Sequence, residues 1–238
     1  MILVFPQASD KFNLFYKDFR LSTYSLNDYV SKIASSYNKS DIDGILIIVL
    51  DSFTYQDELL KLIKSLFPNI PTSFYVLQKE TQGSMCSLLM AINQLKDKSV
   101  VISSLDQILI DSPLDLNMKA DESIDIEVPV FHSDRDSFSY ILRDDDGKPI
   151  QAFEKKVVSS EAIMGIYKIK NFSTFFDLSI DLLEKYKGFR ERVFFISDVI
   201  NAYIRSSKIV SFPHMKLNQY YKVKSLAEFE SVFKNEKD

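Results

Sequence analysis

Two short stretches carry residues whose types and spacing suit chemistry. The first is Thr81-Gln82-Gly83-Ser84, a glycine turn that runs into Leu88, Leu89, Ile92 and Leu95, apolar residues at helical spacing. A glycine opening a helix lets the backbone come close to something flat or phosphorylated. The second is Val100-Val101-Ile102, a short apolar strand that runs out at Ser103-Ser104 and presents Asp106. In a parallel α/β sheet the ligand crevice lies beyond the carboxyl ends of the strands, so a carboxylate placed there can hold a metal ion. Spacing alone favours an ordinary helix start and a loop aspartate. Other candidates carry less. Asp144-Asp145-Asp146-Gly147 reads as a solvated hairpin turn without calcium-loop spacing. Cys86 reads as a small apolar residue, and His132 and His214 as structural or surface residues.

The elements that must position these residues follow the α/β pattern. Met1 to Phe5 reads as a buried strand closed by Pro6, and Leu26 to Ala34 as a helix with Ser25 or Asn27 as cap. Gly44 to Leu50 is a continuous apolar run, as in a strand buried on both faces. Tyr55 to Phe67 is amphipathic, and Thr72 to Leu77 reads as the next strand. This alternation argues for a mostly parallel sheet flanked by helices. Asp111 to Asp115 reads as a turn and Asn117 to Ser123 as a polar loop. Then come a strand from Ile124 to Phe131 and a hairpin of Ser137 to Arg143 with Pro149 to Glu154. Helices are expected at Ser173 to Tyr186 and Val199 to Ile204, a strand at Lys208 to Phe212, and a last helix from Ser225 to Phe233 capped by Ser225.

Composition narrows the function classes. The 238 residues suit one large α/β domain or a domain with an insert, and the chain is taken as a single domain with 1–110 and 111–238 as its halves. A net charge of -4 with no basic stripe leaves no electrostatic footprint for nucleic acid. The single cysteine excludes an internal disulfide and suits a reducing cytosol. The start, Met-Ile-Leu-Val-Phe-Pro, has no basic region and no long apolar run, so neither a signal peptide nor a membrane span is expected.

Three blocks in order resemble the sugar-phosphate nucleotidyltransferase superfamily, most of all its capsule-associated branch. They are Thr81-Gln-Gly-Ser-Met-Cys86, Ser103-Ser-Leu-Asp-Gln107, and a third made of Ser139-Tyr140, Asp146-Gly147, Phe153-Glu-Lys-Lys156 and Met164-Gly-Ile-Tyr167. The resemblance implies a Rossmann-like, GT-A-like fold with β-hairpins in the sugar-binding half. It also implies transfer of a nucleotidyl group from a nucleoside triphosphate to a sugar 1-phosphate, with release of pyrophosphate. On this likeness Lys11, Asp106 and Lys155 are the catalytic residues, and Asp106 holds Mg²⁺. Ala8, Ser9, Gln78, Gln82, Gly83 and Ser104 meet the nucleotide, while Tyr140, Glu154, Lys155 and Gly165 meet the sugar phosphate. A lysine suits phosphate as a compact charge, and a glutamate binds sugar hydroxyls. A role in capsule or surface-polysaccharide synthesis follows from the resemblance alone; a cytoplasmic setting is expected, and the sequence leaves open whether the chain forms a homo- or hetero-oligomer.

The chain departs from the family at two places. The family's glycine-rich phosphate loop reads here Pro6-Gln-Ala-Ser-Asp-Lys-Phe12, with no glycine and an added acid at Asp10. Family enzymes outside the closest branch carry a second metal-binding aspartate shortly before the last helix, and the equivalent stretch here, Leu217-Asn-Gln-Tyr-Tyr-Lys222, has no acid. Two alternatives therefore stand beside nucleotidyl transfer. One is a non-catalytic partner or sugar-binding relative, favoured by the lost glycines. The other is a glycosyltransferase using a nucleotide-sugar, for which a clear Asp-x-Asp motif is missing at Ser104-Leu-Asp106.

Overall fold

The computed structural model describes residues 1–20, 26–109, 123–189, 191–215, 220–223 and 225–233. The expected turn at Asp111 to Asp115, residues 117–122 of the expected loop, and residues 217–219 lie outside them. Among the described residues the centre is a seven-stranded sheet in the order β12-β6-β11-β4-β1-β2-β3. Its first half comprises β1 (Ile2–Pro6), β2 (Gly44–Leu50), β3 (Thr72–Leu77) and β4 (Val100–Ile102), all mutually parallel. The outer part comprises β6 (Ile126–Glu127), β11 (Tyr167–Ile169) and β12 (Val210–Ser211), of which β11 alone runs antiparallel to its neighbours. The sheet is mixed and mostly parallel, as the alternating pattern predicts.

Alternation along the strands splits the core into two layers. Leu3, Phe5, Ile45, Ile47, Val49 and Val101 face one side. There they meet α1 (Asp10–Arg20), α2 (Leu26–Ser35), α3 (Gln56–Leu66) and α8 (Leu226–Phe233). Val4, Leu46, Ile48, Leu50, Val100 and Ile102 face the other. They meet α4 (Ser84–Met90), α5 (Ile92–Leu95), α6 (Phe172–Lys185) and α7 (Ile196–Arg205). Every residue of β2 is buried, the outcome its unbroken apolar run requires. Ser225 caps α8 as expected, its hydroxyl accepting from the Glu228 amide at 3.2 Å.

Three features differ from expectation. Residues 10–20 form a helix, because Phe12, Tyr16 and Phe19 fall on one face and bury completely against the sheet. The strand from Ile124 to Phe131 is two strands, β6 and β7 (Val130–His132), broken at Pro129 and divided between two sheets. β7 joins β8 (Tyr140–Arg143), β9 (Pro149–Phe153) and β10 (Glu161–Ile163) in a four-stranded antiparallel sheet, ordered β7-β10-β8-β9. Its edge strand β9 is closed by α7, where Asn201 bonds both the amide and the carbonyl of Ala152 at 2.7 and 2.9 Å. Finally, β5 (Gln107–Leu109) pairs antiparallel with β13 (Tyr220–Lys222), which sets Lys222 opposite Gln107.

Candidate functional site

Strand order reverses between β1 and β4, so the crevice for a ligand lies beyond their carboxyl ends. Gln7 leaves β1 there and Ser103-Ser104 leaves β4. Gln7 Nε2 donates to Ser104 Oγ at 3.0 Å, which ties the two strand ends together. The expected phosphate loop is absorbed into the start of α1. Ser9 caps the helix by accepting from the Phe12 amide at 3.3 Å, and Ala8 packs partly buried against the second core layer. The Asp10 amide donates to Glu80 Oε1 at 2.9 Å. A carboxylate of the chain therefore occupies the amino end of α1, where the partial positive charge of a helix attracts an anion. Lys11 is exposed on the first turn and does not line the cavity described below.

Gly83 has a different use from the one its position suggests. Its φ of +110° is disfavoured for other residues, and a Cβ there would lie 2.3 Å from the Phe194 carbonyl oxygen and 2.9 Å from Val193 Cγ1. The Phe194 amide in turn donates to the Gln82 carbonyl at 2.7 Å. The close approach that glycine permits on this side is made by the chain's own 193–194 segment rather than by a base. Gln78 and Gln82 are exposed on the loop that follows β3.

Asp106 lies at the centre of a buried hydroxyl cluster. Tyr29 donates to the Leu105 carbonyl, Tyr37 shares a 2.5 Å hydrogen bond with Ser103 Oγ, and Tyr220 donates to the Met164 carbonyl at 2.5 Å. Burial and, after it, the Asp106 charge raise the pKa of Tyr29 and of Tyr220. Tyr37 is raised by burial foremost, with Asp106 adding to it. All three stay neutral hydrogen-bond donors. Asp106 Oδ1 is sealed from solvent without a hydrogen-bond partner, and Oδ2 faces Lys222 Nζ at 3.9 Å.

These residues do not fit a resident magnesium ion. Mg²⁺ asks for octahedral oxygen at about 2.0–2.1 Å. Here one carboxylate oxygen is sealed and the other already faces a cation. Two unit charges 4 Å apart interact by about 4 kcal/mol at an effective dielectric of 20, and a divalent ion beside the ammonium would double that repulsion. Among the described residues there is no group of three or more His, Cys, Asp or Glu able to hold a metal.

Gln107 joins the strand ends to the hairpin half. Its Oε1 accepts from Ser103 Oγ at 2.9 Å and from the Ser104 amide at 3.3 Å, and its Nε2 donates to the Met164 carbonyl at 2.9 Å. Gly165 is next, with φ +83° and only 2.5 Å between a would-be Cβ and Gln107 Nε2. Beyond it opens a cavity of about 160 Å³ lined by Glu154, Lys155, Gly165, Tyr167, Phe195 and Lys222, among others. The Glu154 carboxylate accepts from Ser139 Oγ at 2.5 Å and Ser197 Oγ at 2.9 Å, so it is held in one orientation. Tyr167 is buried beside it, its pKa raised by burial and then by the Glu154 charge. Lys155 takes the left-handed backbone conformation, φ +49°, and its ammonium lies 5.5 Å from the centre of the Phe195 ring.

Three residues expected at the sugar phosphate, Glu154, Lys155 and Gly165, are thus brought together on one cavity, and Lys222 connects that cavity to Asp106. Tyr140 is a correction. It is fully buried in β8 and its hydroxyl is spent on the Arg135 carbonyl at 2.7 Å, so no ligand reaches it. Glu80, Ser139, Ser197 and Lys222 fall outside the expected site residues because each meets its partner, Asp10, Glu154, Glu154 or Asp106, across a gap in sequence, and Gln107 because its link from Ser103 and Ser104 to Met164 is made only by the fold.

No family model matches the sequence, and no curated protein matches it either. Solved structures do. A nucleoside-diphosphate-sugar pyrophosphorylase from Vibrio cholerae superposes with a TM-score of 0.80 at 16% identity, covering 98% of this chain and 100% of that one. An inositol-1-phosphate CTP transferase from T. maritima gives 0.70 at 14% identity, covering 98% and 93%. A UDP-glucose pyrophosphorylase complexed with UDP-glucose gives 0.70 at 14% identity, covering 99% and 98%. The fold is that of the sugar-phosphate nucleotidyltransferases. Among the described residues no helix is long and apolar enough to cross a membrane.

Proposed function

We propose that this chain is a sugar-phosphate-binding relative of the nucleotidyltransferases that does not carry out transfer from a nucleoside triphosphate. Its ligand is a sugar 1-phosphate or the sugar-diphosphate end of a nucleotide-sugar, and its setting is capsule or surface-polysaccharide synthesis. The observation that carries the reading is the contrast between two ends of one site. At the sugar end, Glu154 is oriented by two serines to accept from sugar hydroxyls, and Lys155 and Lys222 line the same cavity with charge for a phosphate. At the triphosphate end, Glu80 holds the Asp10 amide, and a polyanion there would meet two carboxylates.

Nucleotidyl transfer itself is the second reading, favoured by Asp106, Glu154 and Lys155 standing at strand ends on the same edge of the fold. The reaction would be an in-line attack of the sugar phosphate on the α-phosphorus with pyrophosphate leaving. It needs no general base, because the attacking phosphate is already an anion. Positioning and charge neutralisation would do the rest.

A thermal-shift panel separates the readings. A ligand at about 100 times its dissociation constant stabilises the native state by about 2.7 kcal/mol. Stabilisation by sugar 1-phosphates or nucleotide-sugars, reduced in Glu154→Gln, supports the first reading. A Mg²⁺-dependent shift with one triphosphate, abolished by Asp106→Ala, would replace it with the second.

A further inference from the structure

We infer that Lys222 is a built-in cation for this site, so that the ligand's phosphate is bound without a divalent metal. The residue is placed for this by pairing between distant strands. β13 runs antiparallel to β5, Lys222 sits opposite Gln107, and the Val223 amide donates to the Asp106 carbonyl at 2.7 Å. These contacts hold the Lys222 backbone against the Asp106 strand end. The ammonium then stands 3.9 Å from Asp106 Oδ2, with both side chains about a third exposed, 30% and 28%. It faces the carboxylate on one side and the small cavity on the other.

The donor set fits a lysine better than a metal. Asp106 offers one reachable oxygen, because Oδ1 is sealed. The neighbouring hydroxyls of Tyr29, Tyr37 and Tyr220 are spent on Leu105, Ser103 and Met164. One monovalent ammonium balances one carboxylate, and the same lysine lines the small cavity. Asp106 is then a positioning residue that fixes the ammonium by charge, and Lys222 is the group that touches the ligand. The ligand half of this inference rests on the sugar-phosphate reading; the metal half rests only on the geometry of Asp106 and Lys222.

Two measurements on the full chain test it. The first is calorimetric titration with glucose 1-phosphate and UDP-glucose, each in Mg²⁺ and in EDTA. Equal affinity in the two buffers is expected, with a loss of about tenfold or more in Lys222→Met and recovery in Lys222→Arg. The second is Mn²⁺ binding by electron paramagnetic resonance. The wild-type chain should leave Mn²⁺ free, while Lys222→Asp, checked for folding by its thermal melt, should bind it. Affinity that collapses in EDTA, or wild-type Mn²⁺ binding equal to that of Lys222→Asp, would overturn the inference. Absence of any sugar-phosphate binding would overturn the functional reading and the ligand half, while the Mn²⁺ result still decides the metal half.

Discussion

Glu154 sits where its two serine partners leave one direction free for a ligand, and that constraint makes it testable. Glu154→Gln preserves shape but removes the charge that both hydroxyls serve. Hydrogen bonds to charged groups contribute about 1.5–3 kcal/mol, so sugar-phosphate affinity should fall by roughly ten- to a hundredfold in a calorimetric titration. Gly165 tests the backbone beside it. With φ at +83° and Gln107 Nε2 in the Cβ position, Gly165→Ala should lower unfolding free energy by about 1–3 kcal/mol in urea. Residue types at this scale were partly legible in the sequence. Asp106 could be placed because a strand visibly ends before it, and Glu154-Lys155 because a hairpin does. Lys222 and Glu80 could not, because their partners Asp106 and Asp10 are brought in by strand pairing and loop packing across the chain. Tyr140 was misplaced for a simpler reason: a strand as short as Tyr140–Arg143 does not declare which face is the core.

Among the elements, the start of α4 and the helix α1 are the informative ones. Gly83 places the amino end of α4 against the 193–194 segment, and the Met85 amide also reaches the Phe194 carbonyl at 3.4 Å. Gly83→Ala must move backbone rather than a flexible side chain. We expect a loss of about 3 kcal/mol or more, read as a lower urea midpoint with unchanged slope. α1 was not foreseen, although Phe12, Phe15, Tyr16 and Phe19 follow helical spacing. Its aromatic face packs with Phe53 and Tyr29, ring centres 5.3 Å apart for Phe12 with Phe53 and 4.3 Å for Phe19 with Tyr29. Phe12→Ala should cost about 3–5 kcal/mol. The strands β1, β2 and β4 were readable because buried parallel strands are continuous apolar runs, whereas β5 and β13 exist only through each other.

Over the whole molecule, two sheets must stay in register for the cavity to exist, and an ionic cluster helps join them. Glu161 on β10 bonds Arg143 Nε on β8 at 2.6 Å and His214 Nε2 at 2.5 Å, next to the chain leaving β12. Burial works to raise the Glu161 pKa, but the hydrogen bonds and charges of Arg143 and His214 outweigh it and hold it below the usual value. A carboxylate depressed in the folded state contributes stability above its unfolded pKa and loses it as pH falls through its folded one. The melting temperature of the wild-type chain should therefore drop on acidification through the carboxylate range, and Glu161→Gln should flatten that drop.

The central claim is that the sugar end of the site works and the triphosphate end does not. The most direct measurement is phosphorus NMR of the chain mixed with a sugar 1-phosphate, a nucleoside triphosphate and Mg²⁺, followed over time. We predict that the sugar-phosphate resonance broadens, the triphosphate resonances stay sharp, and no pyrophosphate appears. A growing pyrophosphate resonance that Asp106→Ala abolishes would contradict the account and restore nucleotidyl transfer.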